Sequence, residues 1–317
     1  MAKKVYINAA TAIAPNGVMG DENMLHAVEP DYKEIIANAN LRRRMSHIVK
    51  MGVACGLQCI QKNGNKPIDA IITATGLGCL ADTEKFLNAI IDSNEQLLNP
   101  TAFTQSTFNI IGSQIALLTN NKSYNNTYVH RGLSFESALI DGMMRIKEGD
   151  ENVLVGAMDE VNQTAQTIMT RLGLLDNVTM GEGAQFFVLA NEPNSAINPE
   201  LKAIKTYSGK FTSDEMIQHI KEFLKGANIG LSDIDILLTG DNGNTDHDKI
   251  YTDIAKSLFS SAKWYSFKDV CGEYPTASSN AFYMATKQLM LSIKAEQNVL
   301  IYNHYNAKNH SLILLGR

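Results

Sequence analysis

The chain reads as an α/β protein built from a duplicated unit, with two similar mixed sheets related by a pseudo-two-fold and layered α-β-α-β-α. Three observations predict this. The order helix, strand, loop, helix occurs twice at near-constant spacing: Ile68 to Ile234 is 166 residues and Glu84 to Asp248 is 164. The 317 residues are 44% hydrophobic, enough to bury a large core. No low-complexity linker divides them, so one unit over 1–317 is expected, with halves at about 1–190 and 201–317.

The elements follow in order. Residues 5–9 (VYINA) predict a first strand, ended by a turn at Pro15 and Gly17. Residues 45–61 form a helix whose second half is apolar on nearly every side, hence buried. Arg42, Arg43 and Arg44 read as its solvated start. Residues 68–73 (IDAIIT) give a strand, and 82–93 a helix with Asp82 as a candidate N-cap. In the second half, 213–225 carries Met216, Ile220 and Phe223 on one helical face and ends near Gly226. A strand at 234–239 (IDILLT), a polar loop and a helix at 248–259 come next. Residues 191–200, with two prolines, mark the boundary between the halves. Strands at 299–302 and 311–315, around the turn-rich NHYNAKNH, close the chain as a hairpin.

Composition narrows the function. Net charge is −5 and no long basic run occurs, so a nucleic-acid partner is not expected. Charged residues are only 19%, which fits a large core or an extensive partner interface. Cys55, Cys59, Cys79 and Cys271 lack paired spacing and read as buried free thiols of a reducing compartment. Lys3 and Lys4 before an apolar stretch mimic a leader, but Asn8, Thr11 and Pro15 interrupt it. No run is long enough to span a bilayer, and a cytoplasmic location without membrane insertion is expected.

Four stretches carry a resemblance. They are Asn99-Pro100-Thr101-Ala102-Phe103 running to Gly112-Ser113-Gln114-Ile115-Ala116; Glu148-Gly149-Asp150 followed by VLVGAMDEV; Met180-Gly181-Glu182-Gly183-Ala184; and Ser266-Phe267-Lys268 through Cys271-Gly272. Together they resemble the β-ketoacyl synthases, and the duplicated order is that of their thiolase-like fold. The resemblance implies a nucleophilic cysteine at a helix N-terminus, two histidines and a lysine. Gapless counting back from Gly149-Asp150 places the nucleophile position at Gly132. The first histidine position falls at Gly240 or Asp241, with His247 at the far end of that loop. Lys268 matches the lysine, and Glu273 stands at the second histidine position. HYNAK at 304–308 replaces a glycine-rich C-terminal loop. The segment between Glu160 and Met180 is much shorter than in the full enzymes. Three of four catalytic groups are therefore absent.

This pattern implies a non-catalytic partner of an active ketosynthase, akin to a chain-length factor, in fatty-acid-like or polyketide-like assembly. A homo- or heterodimer is expected, with Asn99–Leu118 at or near the interface and an acyl carrier protein as a possible further partner. No cofactor or metal is implied. Two alternatives are carried. One is acyl transfer or hydrolysis at Ser134, in a near GxSxG setting spoiled by Glu136; a helix N-cap is the plainer role for Ser134. The other is a homodimer that binds an acyl chain or small molecule in the degenerate pocket. Gly76-Leu77-Gly78-Cys79-Leu80-Ala81 reads as a tight turn rather than a nucleotide loop. The loop 241–248 fails the EF-hand template. Lys268 and Glu273 are candidates for an ion pair.

Overall fold

The computed structural model describes residues 3–17, 24–96, 98–175 and 177–317. Its strands are β1 Tyr6–Ile13, β2 Met24–Leu25, β3 Ala70–Ala74, β4 Tyr124–Tyr128, β5 Asn152–Asp159, β6 Met180–Gly181, β7 Gly183–Ala190, β8 Glu200–Ser208, β9 Ile236–Thr239, β10 Lys263–Ser266, β11 Asn298–Tyr305 and β12 Asn309–Gly316. β2 and β6 form a small parallel pair. The other ten lie in the order β4-β3-β5-β7-β1-β8-β12-β11-β9-β10.

This order is palindromic. From either edge come two parallel pairings and then two antiparallel ones: β4·β3·β5·β7·β1 and β10·β9·β11·β12·β8. The register repeats as well. Ala70 lies between Tyr124 and Val153, and Ile236 lies between Lys263 and Val299. The 166-residue offset seen in sequence is therefore the offset of the paired strands. The two five-stranded sets touch at one register position, Tyr6 opposite Glu200, flanked by Ile7 N–Pro199 O (2.9 Å) and Leu201 N–Val5 O (2.8 Å).

Three cores explain the layering. The largest lies between the two strand sets and takes residues from both, together with Phe135, Leu139, Phe282 and Leu289 of the helices Ser134–Glu148 and Ser278–Leu291. A second packs the helix His47–Lys62 on the outer face of the first set, and a third packs the helices Ser213–Gly226 and Thr245–Leu258 on the second set. β5 and β7 are buried along their whole length, as strands covered on both faces must be.

Several boundaries move for identifiable reasons. β1 runs on to Ile13 because β7 pairs with it as far as Ala184. Arg42–Arg44 close a separate short helix, Ala39–Arg44, rather than opening the next one; cations suit a helix C-terminus. Asp82 is not the N-cap of its helix, which starts at Leu80. The free Ala81 N–H is met instead by Glu160 Oε1 at 3.1 Å, from a chain segment 79 residues away. Gly226 is the last helical residue, and Asn228 takes the left-handed turn (φ 56°). The C-terminal turn shrinks to 306–308, since cross-strand pairing claims the rest of NHYNAKNH. All four cysteines are buried thiols. Among the described residues no helix is long and apolar enough to cross a membrane.

Candidate functional site

The site is built where β4, β9 and β11 end and the helix Ser134–Glu148 begins. After β4 the chain turns sharply. Arg131 has φ 50°, and Arg131–Leu133 form one 3-10 turn before the helix. A strained strand-to-helix corner of this kind is where a nucleophile elbow holds its reactive residue. The strained residue is thus Arg131, one before the Gly132 position obtained by counting. Gly132 is buried, and a Cβ there would fall inside the contact shell of Tyr305 Cβ and Cγ. Tyr305, at the end of β11, fills the space above the elbow.

Ser134 is fully buried and is not the helix N-cap. Its Oγ accepts from His130 N (2.7 Å) and donates to the Arg131 carbonyl (2.8 Å), so it ties the corner to itself rather than to the helix N–H groups. His130 does not face it, because the His130 ring bonds to Ser137 Oγ at 3.0 Å. The hydroxyl thus lacks both an access path and a base. Glu136 points away from the corner into the central core, where Oε1 accepts from Ser311 Oγ at 2.8 Å and Oε2 has no partner.

Burial pushes the Glu136 carboxyl above its usual range, which favours the neutral acid. A folded-state pKa above the ordinary 4.5 gives stability that is complete below that value and is lost as pH rises through the folded pKa. Urea unfolding of the wild type against pH should therefore show stability falling from about pH 4.5 upward through this group, and Glu136→Gln should flatten that slope. An unchanged slope in the variant would exclude a buried acid.

The second cluster depends on a close crossing of two segments. A Cβ on Gly181 would collide with the Cys271 carbonyl, and Gly272 (φ 72°) lies against Gly181 on the other side. The small residues let Glu273 pair with β6 through Gly181 N–Glu273 O (3.1 Å) and Glu273 N–Thr179 O (2.8 Å). That pins Glu273 so that its Oε2 meets Lys268 Nζ at 2.7 Å and Asn242 Nδ2 at 2.7 Å. The Lys268 side chain is 1% exposed and that of Glu273 13%. The ion pair is real and nearly dry. Removing one partner leaves an uncompensated buried charge. Lys268→Met should cost about 3 kcal/mol, and Lys268→Met with Glu273→Leu should recover much of it in a double-mutant cycle followed by urea.

Asp241 sits beside this pair after β9. Burial pushes its carboxyl up, and Oδ2 has no hydrogen-bond partner. Gly240 has no room for a side chain because Asn303 Oδ1 and Tyr251 Oη crowd it. His247 lies in the first turn of Thr245–Leu258; its carbonyl accepts from His304 Nε2 at 3.1 Å. Burial, with Lys268 nearby, pulls the His304 pKa down to about 3, so this imidazole stays neutral and stacks on Tyr251. The loop from 241 to 248 is organised by its own side chains. Asp248 accepts from Asn242 N and Gly243 N, and Asn244 caps the helix.

Tyr305 joins the two clusters. Burial, with Glu273 and Asp159 near, pushes its phenol up to about 12. Asp159, at the end of β5, accepts from Thr75 Oγ1 (2.9 Å), Gly76 N (2.9 Å) and Leu77 N (3.3 Å) on one side, and from Thr276 N (3.1 Å) and Thr276 Oγ1 (2.7 Å) on the other. Burial pushes its carboxyl up as well, against five donors that suit only the carboxylate. The loop at 75–78, with Gly78 at φ 74°, is thus a tight turn closed on a carboxylate.

The structure therefore brings Asp241, Lys268 and Glu273 together, and sets Gly132 and Ser134 across from them behind Tyr305. Sequence reading missed Tyr305, Asp159 and Asn242. The lost glycines of HYNAK were the available signal for Tyr305, since a glycine-poor loop must put side chains somewhere.

Comparison with known proteins adds the family context. Residues 22–180, half of the chain, match the family model described as beta-ketoacyl synthase, N-terminal domain. The chain is similar in structure to the ishigamide ketosynthase/chain length factor (12% identity, 98% of this chain and 99% of that one, TM-score 0.82). It is also similar to a type II polyketide acyl-carrier protein complex with its ketosynthase bound to the hexaketide (14%, 99% of each, TM-score 0.79). A third likeness is to a ketosynthase in complex with its chain length factor from Xenorhabdus doucetiae (15%, 99% and 98%, TM-score 0.76). At these identities the likeness is one of fold. No curated protein sequence matches the chain.

Proposed function

Because the chain belongs to the beta-ketoacyl synthase family, we propose that it serves as a non-catalytic partner subunit of an active ketosynthase, in fatty-acid-like or polyketide-like acyl chain assembly. One observation carries this reading. The elbow that would hold a nucleophile has Gly132 pressed under Tyr305, with no volume for a reactive side chain. Lys268 bonds to a carboxylate rather than serving a histidine. The whole chain acts as one unit, with halves at 1–190 and 201–317, in keeping with a central core that draws on both. Its place of action is the cytoplasm.

The proposed dimer face is the outer edge formed by β4 and residues 99–118. β4 pairs with β3 on one side only, and its Tyr124 is exposed. Phe108 and Leu117 are exposed beside it, and Phe103 is exposed on the neighbouring helix, apolar side chains that a partner would cover. Among solved relatives of this fold, one is a ketosynthase with its chain length factor and another includes an acyl-carrier protein. The same kinds of partner are proposed here.

Co-expression with candidate ketosynthases from the same genome, followed by size-exclusion chromatography, should yield a one-to-one heterodimer with one of them. Leu117→Asp should break it while leaving the fold intact by circular dichroism. A chain that stays apart from every such ketosynthase would defeat the proposal. A homodimer in its place would favour a self-sufficient binding protein. Ser134 chemistry predicts a covalent adduct with acyl thioesters that is lost in Ser134→Ala; the buried hydroxyl predicts none.

A further inference from the structure

We propose that Lys268 and Asn242 join in an intramolecular isopeptide bond, with Glu273 as the acid–base group that promotes it. Freshly made chain carries the ion pair described above, and the linked form accumulates slowly in the folded state.

The amine and the carboxamide meet at one oxygen. Glu273 Oε2 accepts from Lys268 Nζ at 2.7 Å and from Asn242 Nδ2 at 2.7 Å. The two nitrogens can be no further apart than twice that distance, which puts Asn242 Cγ within reach of the lysine side chain. The orientation of the carboxamide is fixed as well. Its Oδ1 accepts from Asn244 N at 3.1 Å, so Nδ2 is the end that faces Glu273. The backbone behind it is held by Asp248, which accepts from Asn242 N (3.1 Å) and Gly243 N (2.8 Å). The electrophilic carbon therefore sits on a loop that its own hydrogen bonds keep in place. Phe267, Tyr251 and His304, all buried, surround the group. A lysine amine shielded from water is one that serves as a nucleophile, and exclusion of water suppresses hydrolysis of the carboxamide.

Each step has a partner in place. Glu273 takes a proton from Nζ, and the free amine attacks Cγ. The Nζ–Cγ bond forms, the carbonyl electron pair moves to Oδ1, and the Asn244 N–H stabilises the charge there. The Cγ–Nδ2 bond then breaks. Two protons leave Nζ by way of Glu273 and both end on the departing nitrogen. A lysine ammonium and a carboxamide thus become a secondary amide and an ammonium ion, and Glu273 is a carboxylate again. The bond would tie the loop after β9 to the short helix Lys268–Cys271. One reaction competes. Gly243 N could attack the same Cγ and form a succinimide, also with loss of ammonia. That N–H is engaged by Asp248, and an amide nitrogen is a far weaker nucleophile than an amine, so the arrangement favours Lys268.

Intact mass spectrometry of the full chain, sampled over several days under folding conditions, tests this. A species about 17 Da lighter, the mass of ammonia, should accumulate. Digestion should yield one pair of peptides joined through Lys268 and Asn242. Glu273→Gln keeps the shape and should cut the linked fraction at least about tenfold. Lys268→Arg and Asn242→Leu should abolish it, and wild type held in urea should form none. Unfolding temperatures check that each variant folds. Folded wild type that keeps its full mass would overturn the proposal. So would loss of ammonia without joined peptides, the mark of a succinimide at Asn242–Gly243, or a link that survives Glu273→Gln.

Discussion

Gly132→Cys is expected to leave the protein without acyl-transfer activity and to destabilise it by about 2–3 kcal/mol, the usual cost of overpacking a tight site. Cysteine is the residue the family uses near this corner, so restoring it looks like a repair. The geometry says otherwise, because a Cβ at Gly132 meets Tyr305 Cβ and Cγ, atoms near the backbone that cannot swing aside. Tyr305 is also held by β11 pairing with β12 at Asn309. Urea denaturation should show the midpoint falling with an unchanged slope. Adding Tyr305→Gly should recover part of the loss through a positive coupling. Mass spectrometry after incubation with an acyl thioester should still find no adduct, since Tyr305 closes the corner over this position. Stability equal to wild type in Gly132→Cys would mean that Tyr305 can leave, and the closed-site reading would fall.

Asp159→Ala should be more damaging, with a loss of about 3–5 kcal/mol. Five donors converge on this carboxylate, three from the loop at 75–77 and two from Thr276. Alanine would strand all five in a buried place. Asp159→Asn keeps one acceptor but turns an NH2 toward donors, so it should fall between wild type and alanine. The two loops belong to opposite halves of the duplication, and hydrogen exchange should show both opening together in the variant. Protection lost on one side only would mean that Asp159 is a local turn element and not a clasp between halves.

Much of this protein was legible in its sequence. The matched order of elements and the 166-residue offset reappear as a palindromic strand order with matching register. Apolar periodicity located the helices at 47–62, 213–226 and 245–258 to within a few residues. The candidate pair Lys268 and Glu273 proved to be bonded. These features are local or repetitive, and side-chain pattern over one segment decides them. What failed was non-local. Asp82 looked like a cap because caps are judged from neighbours, whereas Glu160 from another strand end supplies the bond. Ser134 looked like a cap for the same reason, yet its partners lie in the turn just before it.

By itself, then, the sequence determined the duplicated α/β architecture and singled out Gly132, Asp241, Lys268 and Glu273 as candidate positions. Only the tertiary structure decided what surrounds them: Tyr305 over the elbow, a nearly dry Lys268–Glu273 pair made possible by the Gly181–Gly272 crossing, and Asp159 joining the halves. The reason is physical. The groups around each position come from segments far apart in the chain, Tyr305 173 residues from Gly132 and Gly272 91 from Gly181, brought together by packing that no local pattern encodes.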